Sequence, residues 1–219
     1  MNVLITKPIA ELQQLGSFLA RRNCSLIAQS FIEFELVNAT FPAAYDAIFF
    51  GSKNAYRFYT QQADLPKHVL VACIGETTRN VLAKAGVHVD FYGTHAGKPD
   101  EVALELVKWL GHRTVLIPLS DVSNRSMSKQ IPAAQCEEVV VYRTKSIAKS
   151  IQEQLDWVVF TSPSNVHGFL LSNQVNPMTK TVAWGNTTAQ AMRDKQIRVD
   201  FVLADSSETE LIDLLRSEL

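Results

Sequence analysis

The sequence has few cysteines and almost no net charge, and both shortages exclude classes of protein. The three cysteines, Cys24, Cys73 and Cys136, lie far apart and form no Cys-x-x-Cys pair, which argues against a disulfide framework and against a zinc site. A formal net charge of −1 creates no overall field that would attract nucleic acid or an anionic membrane. We therefore expect reduced cysteines, a cytoplasmic location, and neither a nucleic-acid nor a membrane partner.

Long apolar runs and common enzyme signatures are missing as well. No apolar stretch approaches the roughly 20 residues of a transmembrane helix, and Val3–Ile5 follows no basic region, so it predicts a first strand and not a signal peptide. The sequence has no G-x-x-x-x-G-K-[ST], G-x-G-x-x-G, G-x-S-x-G or H-E-x-x-H motif. The five histidines have no H-x-x-x-H spacing either, so no metal site is predicted; they are His68, His88, His95, His112 and His167.

An internal repeat is the strongest signal that is present. Three segments recur after a constant shift of 110 residues: Asp46–Ser52 matches Asp156–Ser162, Ile74–Thr78 matches Trp184–Thr188, and Val87–Phe91 matches Ile197–Phe201. In each copy, short apolar runs alternate with stretches of helical period, which predicts parallel sheets flanked by helices. Strands are predicted near Asn2–Thr6, Tyr45–Phe50, Val69–Ile74 and His88–Phe91, with counterparts in the second copy.

Two further segments, Phe31–Val37 and Glu137–Thr144, also have a strand-like pattern. They are consistent with a two-stranded ribbon that connects two lobes, or with strands inside each sheet.

The polar residues that follow the predicted strands are candidates for ligand binding. In open α/β sheets, ligands bind beyond the carboxyl ends of the strands. The helices that begin there present unpaired N–H groups that suit a carboxylate or a phosphate. The candidate residues at these turns are Ser52, Lys53, Asn54, Gly75, Thr77, Thr78, Ser162, Ser164, Asn165, Gly185, Thr187 and Thr188.

Three segments together resemble the motifs of uroporphyrinogen-III synthases: Val139–Thr144, Phe160–Ser164 and Gly185–Met192. The order and spacing match over essentially the whole chain. The resemblance implies an α/β fold with two similar lobes, each a parallel sheet flanked by helices, joined by a two-stranded β ribbon. Lobe one would comprise residues 1–32 and 145–219, lobe two residues 38–136, and the ribbon strands residues 33–37 and 137–144.

The resemblance also implies a reaction. Such enzymes close hydroxymethylbilane, a linear tetrapyrrole, with loss of water and inversion of the last pyrrole ring, and the product is uroporphyrinogen III. No cofactor is implied. The family's tyrosine in the connector falls on Tyr142, whose phenol would donate a hydrogen bond to the departing hydroxyl. We expect a monomer that contacts the upstream deaminase transiently.

Some positions depart from the family pattern and concern the binding of substrate carboxylates. Lys7 stands where an arginine is common, Leu119 and Ser120 replace the usual Arg-Gly, and Trp184 replaces a smaller aliphatic residue. The candidate cations that remain are Lys7, Lys53, Arg125 and Arg143.

Two other functions are compatible with the sequence. A non-catalytic module that binds a tetrapyrrole or another polyanion would keep the polar helix starts and would not need Tyr142. A Rossmann-type nucleotide enzyme would need a phosphate loop, which the sequence lacks.

Overall fold

The computed structural model describes residues 1–94 and 98–219 of the chain. His95, one of the histidines considered for metal binding, lies outside the described residues. The chain forms two compact units. Unit 1 comprises Met1–Glu33 and Lys145–Leu219, and unit 2 comprises Phe34–Thr144. Within the described part of the chain, no helix is long and apolar enough to span a membrane.

The strands and helices alternate along most of the chain. The strands are β1 (Asn2–Ile5), β2 (Ser25–Ala28), β3 (Ile32–Leu36), β4 (Ala47–Phe50), β5 (Leu70–Cys73), β6 (Phe91–Tyr92), β7 (Val115–Ser120), β8 (Cys136–Ser146), β9 (Trp157–Phe160), β10 (Lys180–Ala183) and β11 (Phe201–Val202). The α-helices are α1 (Leu15–Ala20), α2 (Lys53–Thr60), α3 (Glu76–Lys84), α4 (Pro99–Leu110), α5 (Pro163–Leu170), α6 (Asn186–Asp194) and α7 (Glu208–Glu218).

Each unit is built on one sheet of mainly parallel strands. In unit 1 the order is β2-β1-β9-β10-β11, and each neighbouring pair is parallel. In unit 2 the order is β3-β8-β7-β4-β5-β6, in which the pairs from β8 to β6 are parallel. The predicted fold class, α/β with parallel sheets flanked by helices in two similar lobes, is confirmed.

Helices cover both faces of each sheet, because the central strands β1, β4, β7, β9 and β10 bury side chains on both sides. In unit 1, α1 and α7 pack on one face, and α5 and α6 pack on the other. In unit 2, α4 packs on one face, and α2 and α3 pack on the other. Each fully buried Val, Leu, Ile or Phe side chain contributes about 1.5–3 kcal/mol to folding, so these apolar layers hold the helices against the sheets.

The repeat is visible in the elements themselves. The series β4, α2, β5, α3 and β6 recurs after 110 residues as β9, α5, β10, α6 and β11. A pair of aspartates in the repeat has an equivalent role in both copies. The Asp46 carboxylate accepts the N–H of Thr114 at 2.8 Å, and the Asp156 carboxylate accepts the N–H of Asn2 at 2.7 Å. Each aspartate thereby fixes the start of the neighbouring strand.

A second pair of aspartates explains where the sequence prediction was wrong. The strand predicted at His88–Phe91 is reduced to Phe91–Tyr92. The Asp90 carboxylate accepts the N–H of Val71 at 2.8 Å, so a side chain makes the contact there that a strand partner would make. Asp200 accepts the N–H of Thr181 at 2.8 Å in the same way.

The two segments considered for a ribbon lie in β3 and β8. The two strands are neighbours in the sheet, and Val37 donates to the carbonyl of Val141 at 3.0 Å. The first part of β8 also pairs with β7, as the alternative of a strand inside the sheet requires. The predicted boundaries of the ribbon and the lobes stay a prediction.

Candidate active site

The sheet order identifies one place in each unit where loops diverge. At a topological switch point the chains leaving two neighbouring strands go to opposite faces, and a crevice opens beyond the carboxyl ends. In unit 1 this point lies between β1 and β9, and in unit 2 it lies between β7 and β4. The predicted residues that follow these strands are Lys7 and Ser162 in unit 1 and Ser52 in unit 2.

A cavity of about 220 Å³ lies at the switch point of unit 2. The predicted site residues Ser52, Arg125 and Tyr142 line it together with Leu119 and Ser120. Other polar side chains on its wall were not identified from the sequence; they are Ser123, Ser128 and Glu138.

Tyr142 is held in this cavity by two aromatic neighbours. Its side chain is buried, and its ring stacks on Phe58 with a centroid separation of 5.0 Å and an interplanar angle of 15°. Phe34 meets the same ring edge-on at 5.7 Å. The register between β7 and β8 shifts between Leu119 and Ser120, so that Ser120 stands opposite Tyr142. Such irregularities re-aim side chains next to functional sites.

The Tyr142 hydroxyl lies 3.4 Å from Ser52 Oγ. Ser52 is the N-cap of α2, and its Oγ accepts the N–H of Ala55 at 3.1 Å. A serine hydroxyl that accepts this bond still has a proton to donate. If Ser52 donates to the phenol oxygen, the phenol keeps its own proton for a ligand. The arrangement therefore suits a tyrosine that acts as a proton donor.

Arg125 is paired with an acid inside the same cavity. Its Nη1 lies 2.8 Å from Glu138 Oε2, and Ser128 Oγ hydrogen-bonds to the other oxygen of Glu138. Glu138 lies on β8 four residues before Tyr142. No signal in the sequence pointed to Glu138, because its contact with Arg125 depends on how the loop after β7 folds.

The remaining predicted residues of unit 2 lie at the starts of α2 and α3, except for Arg143 on β8. Lys53 and Asn54 begin α2. Gly75 is the N-cap of α3 and provides no side chain to cap it. The Thr77 side chain is exposed, whereas that of Thr78 is buried. Arg143, the last candidate cation, has its Nε 3.7 Å from the carboxylate of Asp121.

In unit 1, the predicted cation Lys7 contacts the ring of Trp184. Its Nζ lies 4.2 Å from the centroid of the Trp184 ring, within the range of a cation–π interaction. Glu208 also interacts electrostatically with Lys7. Burial by itself would raise the pKa of Glu208, but N–H donors from Gln13 to Leu15 and the charge of Lys7 outweigh it, and the pKa is lowered.

The start of α5 is occupied largely by contacts within the unit. Ser162 caps the helix by accepting the N–H of Asn165 at 3.2 Å, and Ser164 lies in the first turn. The Asn165 amide is buried; it donates to Ser162 Oγ at 3.0 Å and accepts the N–H of Phe31 at 2.9 Å. Asn165 therefore has a structural role that the sequence analysis did not predict.

The start of α6 is more open to a ligand. Gly185 is the N-cap and provides no side-chain cap. The first N–H groups of the helix therefore have no acceptor from the N-cap side chain. Thr187 is exposed, whereas the Thr188 side chain is buried and leaves only its backbone to a ligand. Lys7 lies over Trp184, the residue directly before Gly185. The Lys7 ammonium group and the start of α6 are therefore both candidates for binding a carboxylate.

Among residues 1–94 and 98–219, no group of three His, Cys, Asp or Glu side chains is arranged to hold a metal ion.

Two solved structures resemble this fold over nearly their full length. Uroporphyrinogen-III synthetase from Helicobacter pylori aligns with a TM-score of 0.72 at 17% identity, covering 100% of this chain and 99% of its own. A mutant uroporphyrinogen III synthase from Thermus thermophilus aligns with a TM-score of 0.60 at 14% identity, covering 100% and 98%. At these identities the likeness concerns the fold. A search of curated protein sequences finds no significant match.

The sequence itself matches a family model. The model described as uroporphyrinogen-III synthase HemD matches residues 22–217, which is most of the chain and includes both copies of the repeat. The chain therefore belongs to the uroporphyrinogen-III synthase family, the hydro-lyases that cyclise hydroxymethylbilane to uroporphyrinogen III.

Proposed function

We propose that the cavity of unit 2 is where this member of the family assists the loss of the terminal hydroxyl of hydroxymethylbilane, with Tyr142 as the proton donor. The electron-rich pyrrole expels the hydroxyl as water and becomes an azafulvene. The last ring then attacks through its already substituted carbon, and a spiro intermediate rearranges to the inverted product. The phenol of Tyr142 has an O–H group, so Tyr142 can donate a hydrogen bond to the departing oxygen.

The contact between Tyr142 and Ser52 carries this proposal. The stacked Phe58 ring fixes the plane of the phenol, and Ser52 lies 3.4 Å from its hydroxyl. Both residues line a cavity that begins at the carboxyl end of β7 and β4. A fixed donor matters here, because the uncatalysed substrate closes without inversion and the enzyme must control orientation.

We further propose that each unit has groups of its own that can bind carboxylates. In unit 2, the Arg125 guanidinium is suited to this role because it pairs with carboxylates through several N–H donors. In unit 1, the N–H groups at the start of α6 and the Lys7 ammonium provide a second set of donors. Further candidates at the helix starts are the exposed Thr77 and Thr187 and the half-buried Lys53, Asn54 and Ser164.

Incubation of the purified protein with enzymatically prepared hydroxymethylbilane tests the proposed function. We expect uroporphyrinogen III to form faster than the uninverted type I isomer, with no added cofactor. If only type I forms, at the spontaneous rate, the chain is not a catalyst. Tight binding of the product in that case would favour the alternative of a non-catalytic binding module.

The cellular setting is part of the proposal. We propose a cytoplasmic monomer that contacts the upstream deaminase transiently. Cys24 and Cys73 are free and buried, which is compatible with a reducing compartment. Sedimentation of the protein alone and mixed with the deaminase would test the oligomeric state and the contact.

A further inference from the structure

Glu138 is an acid in a cavity proposed to bind an acidic substrate. Its side chain is 19% exposed, and it lines the same cavity as Tyr142. Both of its carboxylate oxygens have partners, since Oε2 lies 2.8 Å from Arg125 Nη1 and Oε1 hydrogen-bonds to Ser128 Oγ. A carboxylate in this place would repel the carboxylates of the substrate. Its presence therefore calls for a role that offsets this repulsion.

The loop around Arg125 is folded to bring its side chain to Glu138. Arg125 has a φ of 56°, a left-handed conformation that few non-glycine residues adopt. Its N–H donates to Ser123 Oγ at 3.2 Å, and its carbonyl accepts the N–H of Lys129 at 3.2 Å. Hydrogen bonds therefore hold the backbone of Arg125, and the ion pair with Glu138 holds its guanidinium.

The guanidinium keeps donors for a second carboxylate. A guanidinium has five N–H groups, and the ion pair with Glu138 is made through one terminal nitrogen. The Arg125 side chain is 53% exposed, so the rest of the group is accessible. A flexible arginine would lose conformational entropy when it binds a ligand, and an arginine already fixed by Glu138 loses less.

We propose that Glu138 is a positioning residue that holds the Arg125 guanidinium at the Tyr142 cavity, so that its other N–H donors bind one carboxylate of the substrate. This inference rests on the proposed function of the cavity. Glu138 acts through Arg125 and not on the reacting atoms, so its removal weakens substrate binding and leaves the chemical step intact.

Steady-state kinetics with hydroxymethylbilane tests this role. For Glu138→Gln we expect KM to rise about tenfold, because Arg125 loses the charge-assisted contact with Glu138 that holds it in place. The value of kcat should stay unchanged. Glu137→Gln is the matched control: it removes the same charge from an exposed neighbour on β8, and both constants should stay at the wild-type values. In an Arg125→Ala background, Glu138→Gln should raise KM no further, because the residue through which it acts is gone.

Several results would overturn the proposal. An unchanged KM would show that Arg125 does not need Glu138, and a lower KM would show that Glu138 competes with the substrate. A fall in kcat would place Glu138 at the reacting atoms. If Glu138→Gln raised KM equally in the Arg125→Ala background, Glu138 would act independently of Arg125. If Glu138→Gln does not fold, Glu138→Asp carries the test, since its shorter side chain should also raise KM and a wild-type KM would contradict the proposal. A wild-type protein that makes no type III product would instead refute the proposed function itself.

Discussion

The ammonium nitrogen of Lys7 lies 4.2 Å from the centre of the Trp184 ring. The resemblance to the family predicts that both residues depart from its pattern, Lys7 in place of an arginine and Trp184 in place of a smaller residue, although 177 positions separate them in the sequence. Lysine has fewer donors than arginine and a more flexible side chain. The aromatic ring gives the ammonium group a cation–π partner, and we expect this contact to hold the Lys7 side chain in place.

Trp184→Leu is expected to raise the KM for hydroxymethylbilane about two- to fivefold, the equivalent of a partly exposed cation–π contact. Trp157→Leu is the matched control. Lys180 lies 5.0 Å from the centre of the Trp157 ring, but that pair stands at the amino ends of β9 and β10, away from the switch point. Equal changes in KM for the two variants would contradict a specific role for Trp184, and thermal unfolding measures the loss of packing in each.

Ser52 and Ser162 are equivalent helix caps, so substituting each in turn distinguishes an effect on stability from an effect on activity. Ser52 caps α2 and Ser162 caps α5 through the same bond, at 3.1 and 3.2 Å. Ser52→Ala and Ser162→Ala should each lower the free energy of unfolding by about 1 kcal/mol. Ser52 also contacts the Tyr142 hydroxyl, so Ser52→Ala should in addition lower kcat about two- to tenfold. A wild-type kcat in Ser52→Ala would argue against the Tyr142 contact.

The N–H groups at the start of α6 can be tested without changing the helix. Asn186 is the first residue of α6 and is exposed, and proline is tolerated at this position because its missing N–H has no partner in the helix. Asn186→Pro should therefore fold normally and raise KM relative to Asn186→Ala. We expect about a threefold difference, the loss of one hydrogen bond to a carboxylate at an exposed site. Equal KM values would argue against binding through these N–H groups.

Acid should destabilise unit 1 in part through Asp200. Burial by itself would raise the pKa of Asp200, but the N–H of Thr181 and the guanidinium of Arg198 outweigh it, and the pKa is lowered. The carboxylate therefore stabilises the fold above its unfolded pKa of about 3.9, and this contribution is lost as the pH falls below that value. Urea unfolding between pH 7 and pH 3 should show a weaker pH dependence for Asp200→Asn than for the wild type. An identical dependence would contradict this assignment.

The sequence predicted the elements that follow from local patterns. The shift of 110 residues located β4, β5, β9 and β10, and buried strand runs between turn residues indicated parallel sheets. It missed β2, because Ser25–Ala28 is a short, half-buried strand at the edge of its sheet. It extended β6 too far, because the hydrogen bond that Asp90 makes to Val71 cannot be inferred from local periodicity.

The candidate site was predictable only in part for the same reason. Helix starts with Ser52 and Ser162 can be recognised from the repeat, because capping residues act within one turn. The pairing of Arg125 with Glu138 and of Lys7 with Trp184 depends on loops and sheet order. Long-range contacts of this kind cannot be recognised from the spacing of residues in the sequence.

The most direct test compares the rate of type III formation by the wild type and by Tyr142→Phe. The variant keeps the ring that stacks on Phe58 and loses only the hydroxyl. We expect it to fold like the wild type by circular dichroism and to form uroporphyrinogen III about 10- to 1000-fold more slowly, so that the spontaneous type I isomer predominates. Tyr92→Phe, which removes a phenol from the edge strand β6 of the same unit, should have the wild-type rate. Formation of type III by Tyr142→Phe at an undiminished rate would contradict the assignment of Tyr142 as the proton donor.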